Sequence, residues 1–143
     1  MVIEQTFDQL NIGDRANVSK TISETDVYLF AGITGDFNPV HVNSEYAKDT
    51  QFSKRIAHGV LSVGLISTVL GTRLPGPGSI YLNQTVSFLA PVYVGDTITA
   101  EVEVIEKMPE KSRVKLRTTC YNQTGKNILQ GEAIVAFKKA ANQ

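Results

Sequence analysis

The spacing of apolar positions changes period once along this chain, at Gly78. Before that point the apolar residues recur at helical spacing. Ser23 reads as an N-cap with Asp26 three residues on, and Val27, Phe30 and Ala31 then share one face. Gly32 and Gly35 stop this helix, and Ser44 is expected to cap a second short one from Glu45 to about Thr50. From Gly59 to Leu70 the apolar side chains Val60, Leu61, Val63, Leu65, Ile66, Val69 and Leu70 are interspersed only with small residues. Such a helix is expected to be buried on nearly every side, with Gly71 ending it.

After Gly78 the period is two. Ile80, Leu82, Val86 and Phe88 form the first alternating set, and Ile98, Ala100, Val102 and Val104 the second. Val114, Leu116 and Cys120 form the third, and Leu129, Ala133, Val135 and Phe137 the last. Each set predicts a strand with one buried side, as in an antiparallel sheet. Residues 1–22 read as an extended lead-in with a turn at Ile12-Gly13-Asp14, and Asn122 to Gly125 marks the turn before the last strand. Helices first and strands after predict an α+β domain covering residues 1–143. Its sheet is expected to curve around the helix that starts at Gly59.

Composition narrows the function classes. The chain has 143 residues, enough for one sizeable core, and 14 basic residues balance 14 acidic ones. A balanced charge argues against a nucleic-acid partner. No apolar run is long enough to span a membrane, and the amino-terminal residues lack the pattern of a signal peptide. The one cysteine, Cys120, excludes an internal disulfide and fits a reducing, cytoplasmic setting.

The candidate chemistry centres on Gly35-Asp-Phe-Asn-Pro-Val-His41, which holds one of only two histidines. Pro39 disfavours helical geometry at Asn38, so the segment is expected to be a bent loop on which Asp36 and His41 converge. The alternative is an ordinary turn, capped by Asp36, with His41 half exposed. No Asp or Glu occurs between Thr50 and Gly95, so a carboxylate acid or base must come from elsewhere, and Asp36 is the best placed. His58 precedes Gly59 at the head of the apolar helix, where free N–H groups can hold an oxyanion. The alternative there is a glycine that eases the bend and a histidine that serves the core or the cap. A metal site is not expected, because the two histidines and the cysteine lack ligand spacing. Cys120 faces inward on a strand, where a thiol is inert.

These residues also carry a resemblance. Phe30-Ala-Gly-Ile-Thr-Gly-Asp36-Phe-Asn38-Pro39-Val-His41, followed by Ala47, closely resembles the signature of the MaoC-like, or hydratase 2, family. The likeness is strongest to its short bacterial (R)-specific enoyl-CoA hydratases. Ile56-Ala-His-Gly59, Leu74-Pro-Gly-Pro-Gly-Ser-Ile-Tyr81 and Pro91-Val-Tyr-Val-Gly-Asp96 match as well, so the resemblance runs from about Ile12 to Phe137. It implies a hot dog fold, a homodimer with active sites near the interface, and addition of water to a trans-2-enoyl-CoA without a cofactor. Asp36 and His41 take the catalytic positions, Asn38 a supporting one, and Gly59 that of the backbone donor to the thioester oxygen. Ser67, Leu70 and Val135 match positions that shape the acyl pocket. A thioesterase or a non-catalytic acyl-CoA-binding module on the same fold is the rival reading. An acyl-carrier-protein dehydratase is expected to carry a carboxylate on the central helix, which this chain lacks. Lys54, Arg55 and Arg73 are candidates to meet the CoA phosphates.

Overall fold

The computed structural model describes residue 2 and residues 4–137. Strand β1 (Arg15–Thr21) precedes three helices, α1 (Glu24–Thr34), α2 (Pro39–Val42) and α3 (Ser44–Ala47). The long helix α4 (Gly59–Thr72) follows, and then β2 (Ile80–Phe88), β3 (Thr97–Met108), β4 (Arg113–Tyr121) and β5 (Asn127–Ala136). The five strands make one antiparallel sheet in the order β1-β3-β4-β5-β2. Together the sheet and α4 form the hot dog arrangement. No helix among the described residues is long and apolar enough to cross a membrane.

The period of two becomes the inner face of the sheet. Ile98, Ala100, Val102 and Val104 on β3, Val114, Leu116 and Cys120 on β4, and Leu129, Ala133 and Val135 on β5 are all fully buried. Ser62, Ile66, Val69 and Leu70 of α4 are buried as well, and the apolar three pack into the same core. Burying each Ile, Leu or Val side chain contributes about 1.5–3 kcal/mol, so this layer dominates the stability of the fold. Gly131 lets β2 approach β5 closely, since a Cβ there would lie 1.7 Å from the Thr85 carbonyl oxygen.

Several expectations are corrected. The segment before His41 is not all loop. Asn38 caps α2 by accepting from Val40 N–H at 3.2 Å, and Pro39 takes the first helical position. The proline that denies helical geometry to Asn38 thus starts a helix after it, because its fixed φ suits a first turn. Asn43, not Ser44, caps α3 through Tyr46 N–H, and that helix ends at Ala47. Helix α4 runs through Gly71 to Thr72.

The expected all-round burial of α4 does not hold within one chain. The sheet covers one side, while Val60, Gly64, Ser67, Thr68 and Gly71 are exposed. Strand β2 departs in the same way. It lies at the sheet edge, and Ile80, Leu82 and Phe88 are 62%, 44% and 57% exposed.

Candidate active site

Asp36 sits just past the carboxyl end of α1, where Gly35 adopts a left-handed φ of 79° and turns the chain out of the helix. Its backbone N–H donates to Thr34 Oγ1 and its Oδ1 accepts from Asn38 N–H, both at 3.2 Å. These local bonds orient the carboxylate and leave Oδ2 open. The side chain is half exposed.

His41 lies in the single turn of α2 and is buried, 8% exposed. Its Nδ1 stands 2.7 Å from the carbonyl oxygen of Ile56. A carbonyl can only accept, so Nδ1 carries the proton and Nε2 keeps its lone pair in the neutral ring. Burial pushes the pKa of His41 below the ordinary histidine value, and the neighbouring His58 ring works in the same direction. The Ile56 carbonyl and Asp36 pull it upward without cancelling the fall. The imidazole is therefore a neutral base at neutral pH.

Ile56 and Ala57 are pinned from both sides. Ile56 N–H donates to Val40 C=O at 3.2 Å, and Ala57 N–H to Val92 C=O at 2.7 Å. The chain then enters α4 at Gly59. The first amides of α4 have no intrahelical acceptor, and the helix dipole adds positive potential at this end. A cleft of about 430 Å³ opens here, lined by His41, Gly59, Val60, Phe88, Leu89 and Ile128 among others. Its wall is mainly apolar, with the imidazole and the helix head as polar features. Gly59 is tight against Phe88, because a Cβ there would lie 2.8 Å from the phenyl ring.

His58, read from the sequence only as a neighbour of Gly59, joins the site through the fold. His58 is buried, and its Nε2 lies 2.9 Å from the Asp36 carbonyl oxygen and 3.9 Å from Oδ2. Its ring centroid is 3.9 Å from that of His41 and 4.7 Å from that of Phe30. A ligand atom from each of Asp36, His41 and His58 lies within 4.8 Å of the other two. Such a trio resembles a metal-ligand set. However, the nitrogen by which His58 approaches Asp36 is already committed to a carbonyl, so the three do not present three free ligands toward one point. The sequence places His58 beside Gly59, but only the docking of α4 against the Asp36 loop brings it under the carboxylate.

The structure thus gathers Asp36, His41 and Gly59 around one end of α4, with His41 and Gly59 lining the cleft and Asp36 beside it. Asn38 is the cap of α2 and touches Asp36 through its backbone. The three residues matched to the acyl pocket lie elsewhere. Ser67 is exposed on α4, and Leu70 and Val135 belong to the packed core. Arg55 pairs with Glu24 and donates to Tyr28 Oη at 2.7 Å. Lys54 covers the Tyr93 ring, whereas Arg73 is exposed. Cys120 is buried with its thiol pushed up to about 12, and its Sγ faces the Ser62 carbonyl at 3.7 Å. It is no nucleophile at neutral pH.

Comparison with known proteins points the same way. The family model described as a MaoC like domain matches residues 10–127. An (R)-specific enoyl-CoA hydratase from Rhodospirillum rubrum is 57% identical over 129 residues, covering 90% of this chain and 89% of the relative. A 3-hydroxybutyryl-CoA dehydratase from Methylorubrum extorquens is 48% identical over 133 residues, covering 93% and 84%. Among solved structures, the unliganded R-hydratase PhaJ1 of Pseudomonas aeruginosa superposes with a TM-score of 0.89 at 47% identity, covering 94% of this chain and 86% of that one.

Proposed function

The chain belongs to the MaoC-like domain family, and from that premise we propose that it is an (R)-specific enoyl-CoA hydratase working by acid–base catalysis through Asp36 and His41. The observation that carries the reading is the open Nε2 of a neutral His41 beside the Asp36 carboxylate, at the mouth of an apolar cleft that ends on the head of α4. The relatives named as a hydratase and a dehydratase act in the two directions of one reversible reaction.

A thioester conjugated to a double bond is electrophilic at C3. Water held between His41 Nε2 and the Asp36 carboxylate attacks there. As the C3–O bond forms, His41 takes a proton from the water, and the π electrons move through C2 onto the thioester oxygen. The amides at the α4 head, Gly59 first, face that growing negative charge, an effect commonly worth ~3 kcal/mol. The imidazolium then returns its proton to C2, the enolate collapses, and the ring is neutral again. No redox step occurs and no cofactor is called for. Asn38 supports the dyad by fixing the Asp36 turn and the start of α2 together.

The acyl chain enters the apolar cleft, and Ser67, Leu70 and Val135 set the length it can have. Support for that assignment is the resemblance; Leu70 and Val135 are packed in the core and do not line the cleft, so a long acyl chain reaches them only by displacing that packing. The protein works as a homodimer in the cytoplasm. The uncovered side of α4 and the exposed apolar residues of the β2 edge support the dimer, and the free buried thiol fits the compartment.

The test is hydration of trans-2-enoyl-CoAs of graded length, followed by loss of the enoyl-thioester absorbance and chiral analysis of the product. (R)-3-hydroxyacyl-CoA is the expected product, and enoyl groups on acyl carrier protein serve as the comparison substrate. Release of free CoA from a saturated acyl-CoA, without hydration, would instead identify a thioesterase.

A further inference from the structure

We infer that His58 is a positioning residue of this site: its imidazole ties the backbone of Asp36 to the head of α4 and backs the ring of His41, so that the two reacting side chains keep their separation. The inference rests on the assignment of Asp36 and His41 as the reacting pair. Three observations carry it.

The first is connectivity. Two of the hydrogen bonds that hold Asp36 come from its own neighbourhood, from Thr34 and Asn38. The bond from His58 Nε2–H to the Asp36 carbonyl spans 22 residues and joins the Asp36 loop to α4. Gly59, the proposed oxyanion donor, is the next residue in the chain. One side chain therefore sets the distance between the carboxylate and the helix head.

The second is stacking. The His58 ring packs against two others, both tilted to it: His41, with centroids 3.9 Å apart, and Phe30, at 4.7 Å. It limits how far the His41 ring can swing about its tether to Ile56. The groups that face His41 are Asp36 from the loop, the Ile56 carbonyl, and His58 from the head of α4. The His58 ring provides a planar surface there.

The third is an unpaired atom. While Nε2 donates to a carbonyl, the other ring nitrogen, Nδ1, is buried with no hydrogen-bond partner among the described residues. A position that only filled space would take phenylalanine or leucine and leave nothing unpaired. The unsatisfied nitrogen is tolerated because the other nitrogen does something an apolar side chain cannot.

The experiment compares His58→Phe with His58→Gln in the full-length chain, using crotonyl-CoA. Phenylalanine keeps the stack and loses the N–H. Glutamine loses the stack but can still donate to the Asp36 carbonyl. Both variants are first checked for a cooperative melt, and His58→Leu replaces the phenylalanine variant if that one does not fold. For the variant without the N–H, kcat is expected to fall about tenfold or more with KM within about threefold, since misplacement acts on the reacting geometry. His58→Gln is expected to recover most of the loss.

Wild-type kcat in the phenylalanine variant overturns the inference. So does an equal loss of kcat in both variants, which is what a purely structural residue would give. The dyad assignment fails separately, if Asp36→Asn and His41→Ala themselves turn over normally.

Discussion

His41 donates from Nδ1 to the carbonyl oxygen of Ile56 at 2.7 Å, and that bond decides which nitrogen of the ring keeps a free lone pair. The carbonyl is held by a backbone that bonds Val40 on one side and Val92 on the other, so the tautomer is set by main chain rather than by a mobile side chain. The edge of the ring left open is thereby Nε2, the one the proposed mechanism uses. Replacing His41 by alanine or Asp36 by asparagine is expected to lower hydration of crotonyl-CoA by at least ~10²-fold. Asp36 is half exposed, so its variant should melt close to the wild type, whereas His41→Ala also loses the buried bond to the Ile56 carbonyl and should melt lower. Steady-state kinetics beside a thermal melt check the two halves of this expectation.

If His41 is the base as proposed, its protonation removes the lone pair it offers, and activity is expected to fall as pH drops through the folded-state pKa. Burial sets that pKa below the ordinary value of 6.5. The acid limb of kcat/KM is therefore expected below pH 6.5, with a flat profile from there to neutrality. Stability follows the same sign. The unfolded chain takes up this proton more readily than the folded one, so stability declines as pH drops below 6.5 and levels off beneath the folded pKa. His41→Phe should flatten that part of the stability profile. An acid limb at or above the ordinary histidine value would contradict the neutral, buried imidazole.

Gly59 and Phe88 form a steric pair at the cleft mouth. In Gly59→Ala the new methyl group would lie 2.8 Å from the phenyl ring, which must swing away. Alanine favours the helix by up to about 1 kcal/mol relative to glycine, so the fold should be no less stable. The cost appears in activity, expected to drop about tenfold as the ring shifts across the cleft and the helix-head amides. Combining Gly59→Ala with Phe88→Leu should restore part of it, and a double-mutant cycle on kcat/KM measures the coupling.

Gly131 tests the sheet rather than the site. Any side chain there meets the Thr85 main chain, which cannot move without parting β2 from β5. Gly131→Ala is expected to cost at least about 2 kcal/mol, or roughly 5 °C or more in melting temperature. Differential scanning calorimetry reads this directly.

Leu70 separates the acyl-length assignment from the chemistry. Leu70→Val removes one methylene from a fully packed position and should cost about 1 kcal/mol of stability. The preferred enoyl-CoA is expected to become longer, while turnover of crotonyl-CoA stays within about threefold of the wild type. A chain-length profile identical to the wild type removes Leu70 from the acyl wall.

The sequence by itself determined the inner surface of this protein. A period of two over Ile98–Val104 and Val114–Cys120 can bury only one side of a strand, and those residues are the core. The Ser23 and Asp26 capping pair likewise has a purely local cause, and it forms as read. Asp36, His41 and Gly59 were legible for the same reason, since each sits at a break in a local pattern, and it was the resemblance that joined Gly59 to the other two.

What local patterns do not contain is which break meets which. The turn of α2 after Pro39 depends on Asn38 serving as its cap. The union of the Asp36 loop with the α4 head depends on a contact 22 residues apart. Two other outcomes belong to the sheet order. Strand β2 reads as half buried by its alternation, yet it falls at the edge. Helix α4 reads as buried all round, yet one sheet has only one face to offer it. Hydrophobic periodicity records how much surface a segment must cover, whereas the tertiary structure decides what covers it, because strand order and helix docking are set by long-range packing.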